Sequence, residues 1–200
     1  TINIETGESG LGGDFNTYTD LEEMLTAVVN RLNRASTKFF ISDTHFSQQR
    51  TLELSRRPFV NTDFMDLTMI SNWNKSVTMN DDVYHAGDFG DINTMRDIVS
   101  CLNFKTLYFV LGNYDREIMS EVERELSYLG RDIVLSSAEQ FKQNGKTYYV
   151  IHEPDEGSMV PEYPDSVVLF GHIHGRAFAK KNGFDLAADY HNFTPISMEQ

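Results

Sequence analysis

Seven residues able to bind a metal stand in short polar segments directly after apolar or β-branched runs. Asp43 and His45 follow Phe39-Phe40-Ile41, Asp88 follows Val83-Tyr84-His85-Ala86, and Asn113 follows Tyr108-Phe109-Val110-Leu111. His152 follows Tyr148-Tyr149-Val150-Ile151, and His172 with His174 follows Val167-Val168-Leu169-Phe170. Runs of this composition read as strands, and ligands of α/β sheets gather at the carboxyl ends of strands. The pattern therefore predicts that the seven converge on one edge. A mixture of carboxylate, carboxamide and imidazole suits manganese, iron, zinc or nickel better than magnesium or calcium, whose shells are nearly all oxygen. Cys101 is the single cysteine, which excludes an internal disulfide and a multi-thiolate zinc site and fits a reducing compartment. Gly87, Gly112 and Gly171 each directly precede a candidate ligand, where a tight turn or close backbone approach favours a residue without Cβ.

The elements that must position these residues follow from periodicity. Strand-like runs at 38–42, 83–86, 106–111 and 132–136 alternate with helical patterns at 62–77, 94–102 and 117–129, a βαβα reading. Strands dominate the second half, where Asn144-Gly145 and Asn182-Gly183 have the composition of hairpin turns. Residues 46–61 and 155–164 read as loops able to carry specificity. Residues 1–18 read as a flexible N-terminal arm ahead of a single domain at 19–200. Leu21, Met24, Leu25, Val28, Val29 and Leu32 recur at helical spacing within 20–34, which predicts a helix packed on that domain.

Composition narrows the partners. Seventeen basic against thirty acidic residues give a net charge of −13 over 200 residues. Such a field disfavours extended nucleic acid, whereas a small phosphorylated substrate could still be drawn to bound metal. The longest apolar runs, 106–111 and 167–170, fall far short of a membrane span. The N-terminus lacks a basic-then-apolar leader pattern, and a cytoplasmic location is the expectation. Oligomeric state is open.

Asp43-Thr44-His45, Gly87-Asp88, Gly112-Asn113-Tyr114-Asp115, His152 and Gly171-His172-Ile173-His174 resemble, in order, the signature of calcineurin-like metallophosphoesterases. The resemblance runs from about Lys38 to the C-terminus. Asp189 to Ser197, with Asn192-Phe193-Thr194-Pro195, is similar to the C-terminal pattern of small bacterial and phage members. The resemblance implies an α/β fold, a four-layer α/β/β/α sandwich of two mixed sheets with outer helices. It implies that Asp43, His45, Asp88 and His174 hold one metal and that Asp88, Asn113, His152 and His172 hold another, with Asp88 bridging. The ions expected are two divalent transition metals, manganese foremost, with iron, zinc or nickel as alternatives. Asp88, Asn113, Tyr114 and His172 are the expected catalytic residues.

The implied activity is phosphoester hydrolysis by activated water, on small phosphodiesters or nucleotides. The alternatives are a nuclease or nucleic-acid end phosphatase, and a degenerate metal-binding scaffold. Tyr114 is the departure, because the family usually has a histidine there. A phenol is the poorer acid, which favours diesters and activated esters. Among the remaining candidates, His85 reads as a hydrogen-bonded strand histidine rather than a ligand, and Cys101 as a small buried hydrophobe. His191 reads as an exposed loop residue, with replacement of the missing acid as the alternative. Asp91 and Asp115 either cap helices or support the metals. Arg116 reads as a solvated charge that has phosphate contact as its alternative.

Overall fold

The computed structural model describes residues 17–154, 165–174 and 182–199, without the side chains of residues 17–20 and 32. The N-terminal arm up to residue 16 and the 155–164 loop lie outside the described residues. The chain divides into two units, Thr1–Arg34 and Ala35–Gln200. In the first, helix α1 (Thr17–Asn33) places Leu21, Met24, Leu25, Val28 and Val29 along one face, as their spacing predicts. It starts before Asp20, so the last two residues assigned to the arm are helical.

The second unit is built on two mixed sheets. In the first sheet, β1 (Lys38–Ile41), β2 (Asp82–His85), β3 (Thr106–Val110) and β4 (Asp132–Ser136) lie side by side in chain order and parallel, and β9 (Ile196–Ser197) joins β1 antiparallel. Parallel strands laid down in sequence need crossovers of one hand, which put every connecting helix on the same face. Those helices are α2 (Gln49–Leu54), α3 (Thr62–Ser76), α4 (Ile92–Cys101), α5 (Asn113–Glu117) and α6 (Met119–Ser127). Strand alternation then sorts the core. Phe39, Ile41, Val83, Leu107 and Phe109 pack with Met65, Met69, Trp73, Met95, Val99 and Val122 of the helices. Phe40, Tyr84, Ala86 and Val110 face the second sheet.

The second sheet has the order β5 (Glu139–Gln143), β6 (Lys146–Val150), β7 (Ser166–Phe170), β8 (Gly183–Asp185). Asn144 and Gly145 join β5 to β6 at φ 51° and 77°, the left-handed pair that a tight hairpin turn requires. Asn182-Gly183 leads into β8, which pairs parallel with β7, and the run before it that a hairpin there would use lies outside the described residues. The Asn182 amide donates to the Ser166 carbonyl and hydroxyl at 3.2 and 2.9 Å, aligning the two strand starts. Stacked rings fill the space between the sheets: Tyr84 lies 4.4 Å from Tyr108 and 5.1 Å from Phe141, and Phe141 lies 4.9 Å from Tyr148. The outer face of the second sheet carries Ile151, Val168 and Phe170 with Ile173 against them. The segments 155–164 and 175–181 that leave this sheet lie outside the described residues.

Three local expectations change. The 46–61 loop contains α2, and the helix predicted at 117–129 is found as α6, with the short α5 ahead of it and a break between them at Ile118, where φ −125° and ψ 30° leave the helical region. Cys101 is exposed, not buried: it ends α4, whose inward positions are taken by Met95, Ile98 and Val99. No helix of the described residues is long and apolar enough to cross a membrane.

One glycine fixes how closely the loops after β2, β3 and β6 meet. Gly87 sits at φ +94°, and a Cβ there would lie 2.6 Å from the Cα and N of Gly112 and from His152 Nδ1. Gly87→Ala is expected to cost about 2–5 kcal/mol, the sum of left-handed strain and backbone overpacking. Urea unfolding of the metal-free protein measures it, and a loss below about 1 kcal/mol would contradict the contact.

Candidate active site

The sheets deliver all seven candidate ligands to one rim. Asp43 and His45 leave β1, Asp88 leaves β2, Asn113 leaves β3, and His152, His172 and His174 leave β6 and β7. Five of them adopt positive φ: Asp43 52°, His45 48°, Asp88 57°, His172 73° and His174 44°. Each such residue costs about 1–2 kcal/mol without a compensating contact. The compensation is backbone stitching between loops, from Asp43 N–H to Gly87 O (3.0 Å), His45 N–H to Asp88 O (3.1 Å) and Gly171 N–H to His152 O (2.9 Å). The His172 N–H also donates to the Asp43 carboxylate at 2.9 Å.

Two groups result. Asp43, His45 and His174 form one, and Asp88, His152 and His172 the other, with the potential ligand atoms of each group within 4.8 Å of one another. Asp88 lies between them, its Oδ2 3.8 Å from His45 Nε2 and 3.4 Å from His152 Nε2. Asn113 Oδ1 sits 3.0 Å from both His152 Nε2 and His172 Nδ1. The structure thus brings Asn113 and the six other ligand candidates together.

The far side of each ring shows what the space between them would accept. His45 Nδ1 faces Gln48 Oε1 at 2.7 Å, His174 Nδ1 faces the Asp189 carboxylate at 3.1 Å, and His152 Nδ1 faces the Ala86 carbonyl at 2.8 Å. These oxygens accept, so each Nδ1 carries a proton, and a ring in its neutral form turns its Nε2 lone pair inward. His45 Nε2 and His174 Nε2 then face each other at 3.2 Å, beside Asp43 and Asp88, 0% and 2% exposed. This convergence of ring nitrogens and buried carboxylates is a candidate cation site. In the metal-free chain that space attracts a proton: burial would lower His152, but its hydrogen bond to Asp88 and the charges of Asp43 and Asp88 outweigh burial and raise it to about 9, so its Nε2 must lose a proton to ligate a metal. Imidazole nitrogen with carboxylate and amide oxygen is a donor set for divalent transition metals.

Several residues that the sequence reading passed over hold this arrangement. Arg57 is buried, and its guanidinium donates to the carbonyls of Asp43 and Thr44, both at 2.6 Å, and to Asp189 at 2.9 and 2.8 Å. Asp189 in turn orients His174. Burial would raise the Asp189 carboxyl, but the bonds from His174 and Arg57 prevail and hold it at about 2. Asp115 accepts from the N–H groups of Asp88 (2.7 Å) and Gly112 (2.9 Å), tying the β2 and β3 loops together. It supports both the helix start and the site, and burial raises its carboxyl to about 6. His85 is wholly buried and accepts from Gly87 N–H at 3.2 Å while its Nε2 meets Thr44 Oγ1 at 2.9 Å. Burial lowers it to about 3, so it stays neutral, as a strand histidine that is not a ligand should.

The other candidates separate. Asp91 caps α4 through Asn93 N–H at 2.8 Å. Arg116 pairs with Glu153 at 3.2 Å. His191 Nε2 donates to the Asp185 carbonyl at 2.8 Å and its ring stacks on Phe184, so it is half-buried and engaged there. Tyr114 is 43% exposed, with its N–H on Asp88 Oδ1 at 3.1 Å and its ring edge-on to His45 at 5.9 Å. The ligands open into a cleft of about 810 Å³ whose walls include Tyr114, Gln48, Arg50, Leu54 and Arg56.

Comparison with known proteins accords with this geometry. The family model of the calcineurin-like phosphoesterase superfamily domain matches residues 38–187. An uncharacterized protein of Methanocaldococcus jannaschii is 27% identical over 172 residues, covering 80% of this chain and 86% of that protein. The crystal structure of a protein of unknown function from Aquifex aeolicus shares the fold, with a TM-score of 0.63 and 22% identity over 82% of this chain and 96% of that one. A structure described as a novel archaeal phosphodiesterase aligns at 17% identity with a TM-score of 0.47, over 76% of this chain and 82% of that one.

The Arg57–Asp189–His174 chain makes a measurable demand. Asp189→Asn is expected to weaken manganese binding about 10–100-fold, the usual effect of removing the group that orients a ligating imidazole. Arg57→Met should cost about 3–5 kcal/mol by removing the buried cation that pairs with Asp189 and satisfies two carbonyls. Titration calorimetry and urea unfolding read the two effects, and unchanged manganese affinity in Asp189→Asn would remove His174 from the ligand set.

Proposed function

Because the chain belongs to the calcineurin-like phosphoesterase superfamily, we propose that it hydrolyses small phosphodiesters or nucleotides at a dinuclear centre of divalent transition metals, manganese foremost. The inward-turned Nε2 lone pairs of His45, His174 and His152 around Asp43 and Asp88 carry this reading. Asp43, His45, Asp88 and His174 would hold one ion and Asp88, Asn113, His152 and His172 the other. A bound pair of this kind polarises a phosphoryl oxygen and lowers the pKa of an attacking water.

The chain's own groups set the remaining terms. Asp88 is held in place at its N–H by Asp115 and at its Oδ1 by the Tyr114 N–H, so its other oxygen is directed between the two groups. His172, exposed at the cleft wall, is placed to meet an entering phosphoryl oxygen. The Tyr114 phenol also borders the cleft; it can donate a hydrogen bond but protonates a leaving group poorly, since an ordinary phenol has a pKa of about 10. Leaving groups stable as anions are therefore favoured, as in activated diesters.

Manganese-loaded protein is expected to turn over bis-p-nitrophenyl phosphate faster than p-nitrophenyl phosphate, with both activities abolished by chelation, Asp88→Asn or His172→Ala. Tyr114→His should raise kcat on monoesters of poor leaving groups by roughly 10²-fold, the low end of general acid catalysis. Inert protein that demonstrably carries both metals would overturn the hydrolase reading in favour of a metal-binding scaffold.

A further inference from the structure

Two arginines stand on the wall of the cleft with nothing to neutralise them. Arg50, in the first turn of α2, and Arg56, just after that helix, both line the cleft beside His45 and His174. Both side chains are exposed, and neither has a hydrogen-bond or ion-pair partner among the described residues. In a chain of net charge −13, two guanidinium groups at one cleft are a local concentration of positive charge. Of the carboxylates in the same wall, Asp91 is engaged at Asn93 and Asp88 lies among the candidate ligands.

Their placement is built. Gln48, directly before α2, bonds His45, and Ser55, directly after it, lies 3.5 Å from His174 Nδ1. The helix carrying Arg50 is thus fastened at both ends to candidate ligands. Arg56 adopts φ 51°, the left-handed region that favours glycine, and it directly precedes the buried anchor Arg57. Strain of this kind persists where the surroundings over-determine a conformation, as at ligand clamps.

Arginine forks match phosphate oxygens, and the Tyr114 phenol favours a leaving group that departs as a stable anion. Both conditions are met by one substrate class. Resting on the hydrolase reading above, we propose that this cleft takes a phosphoanhydride, such as a nucleoside diphosphate, with the second phosphate held by Arg50 and Arg56. The oxygen of water bonds to the phosphorus nearer the nucleoside as the bond from that phosphorus to the bridging oxygen breaks. The bridging oxygen keeps the electron pair and leaves with the second phosphate. One water proton goes to that phosphate and the other to solvent, giving a nucleoside monophosphate and inorganic phosphate.

The test compares ADP with bis-p-nitrophenyl phosphate in manganese-loaded protein, and measures binding of α,β-methylene-ADP by calorimetry. The double substitution Arg50→Ala/Arg56→Ala is expected to lower kcat/KM on ADP at least about tenfold relative to bis-p-nitrophenyl phosphate, mainly through KM, and to weaken the analogue at least about tenfold. Arg50→Lys/Arg56→Lys should restore part of both losses. Diester turnover without ADP cleavage, or an analogue affinity that the double substitution leaves intact, would overturn the phosphoanhydride inference while sparing the hydrolase. Absence of turnover on both substrates would remove the hydrolase reading, and this inference with it.

Discussion

Two imidazole nitrogens 3.2 Å apart beside buried carboxylates need a cation, a proton or a metal ion, between them, and a folded chain must be forced to hold them there. Much of the structure around the rim is the means of that force. Each ring is fixed from behind, by Gln48, by Asp189 or by the Ala86 carbonyl. Turning His174 out toward solvent would sacrifice its bond to Asp189. Five left-handed backbone conformations at the same rim add strain of about 5–10 kcal/mol before the compensating contacts, by the usual cost per residue. This cost falls on the elements least able to yield: loops directly following strands of a packed sheet.

The topology explains why those loops are adjacent. Parallel strands in sequential order bring three successive strand ends, after β1, β2 and β3, to one side of the first sheet. The second sheet reaches the same place through β6 and β7, which are also parallel to each other. Aromatic stacking between the sheets sets their separation, and backbone bonds such as Ser42 N–H to Leu186 O and Ala188 N–H to Ser42 O stitch β1 to the segment after β8. The helices lie on the other face of the first sheet and give it a dry backing. His85 belongs to that side: its ring packs near Phe89 and Phe109, so its alternation along β2 carries it away from the ligands that follow three residues later.

This division of labour sets what could be read from sequence. The candidate ligands were legible as a group because a polar residue after an apolar run is a local signal, and the order of five such signals resembled a signature of the superfamily whose model matches the chain. The strands and the longer helices were legible for the same local reason. Arg57 and Asp189 were not, because their partners lie 132 positions apart and an arginine beside another arginine and a proline reads as surface. Cys101 failed by angle, since the last residue of a ten-residue helix can fall on either face of an apolar stripe.

Arg56 and Arg57 show how the cleft and the core are coupled. Successive residues of a regular element would diverge by a fixed angle, and both side chains would answer to the same packing. The left-handed turn at Arg56 breaks that relation: Arg57 enters the interior, where it is 5% exposed and holds two carbonyls and Asp189, while Arg56 stays in the cleft wall. The interior arginine is neutralised by Asp189, so the charge left over in this segment is the one facing the cleft. A chain with thirteen surplus negative charges thereby keeps two guanidinium groups where an anionic substrate would enter, and it does so from the same short segment that fixes His174.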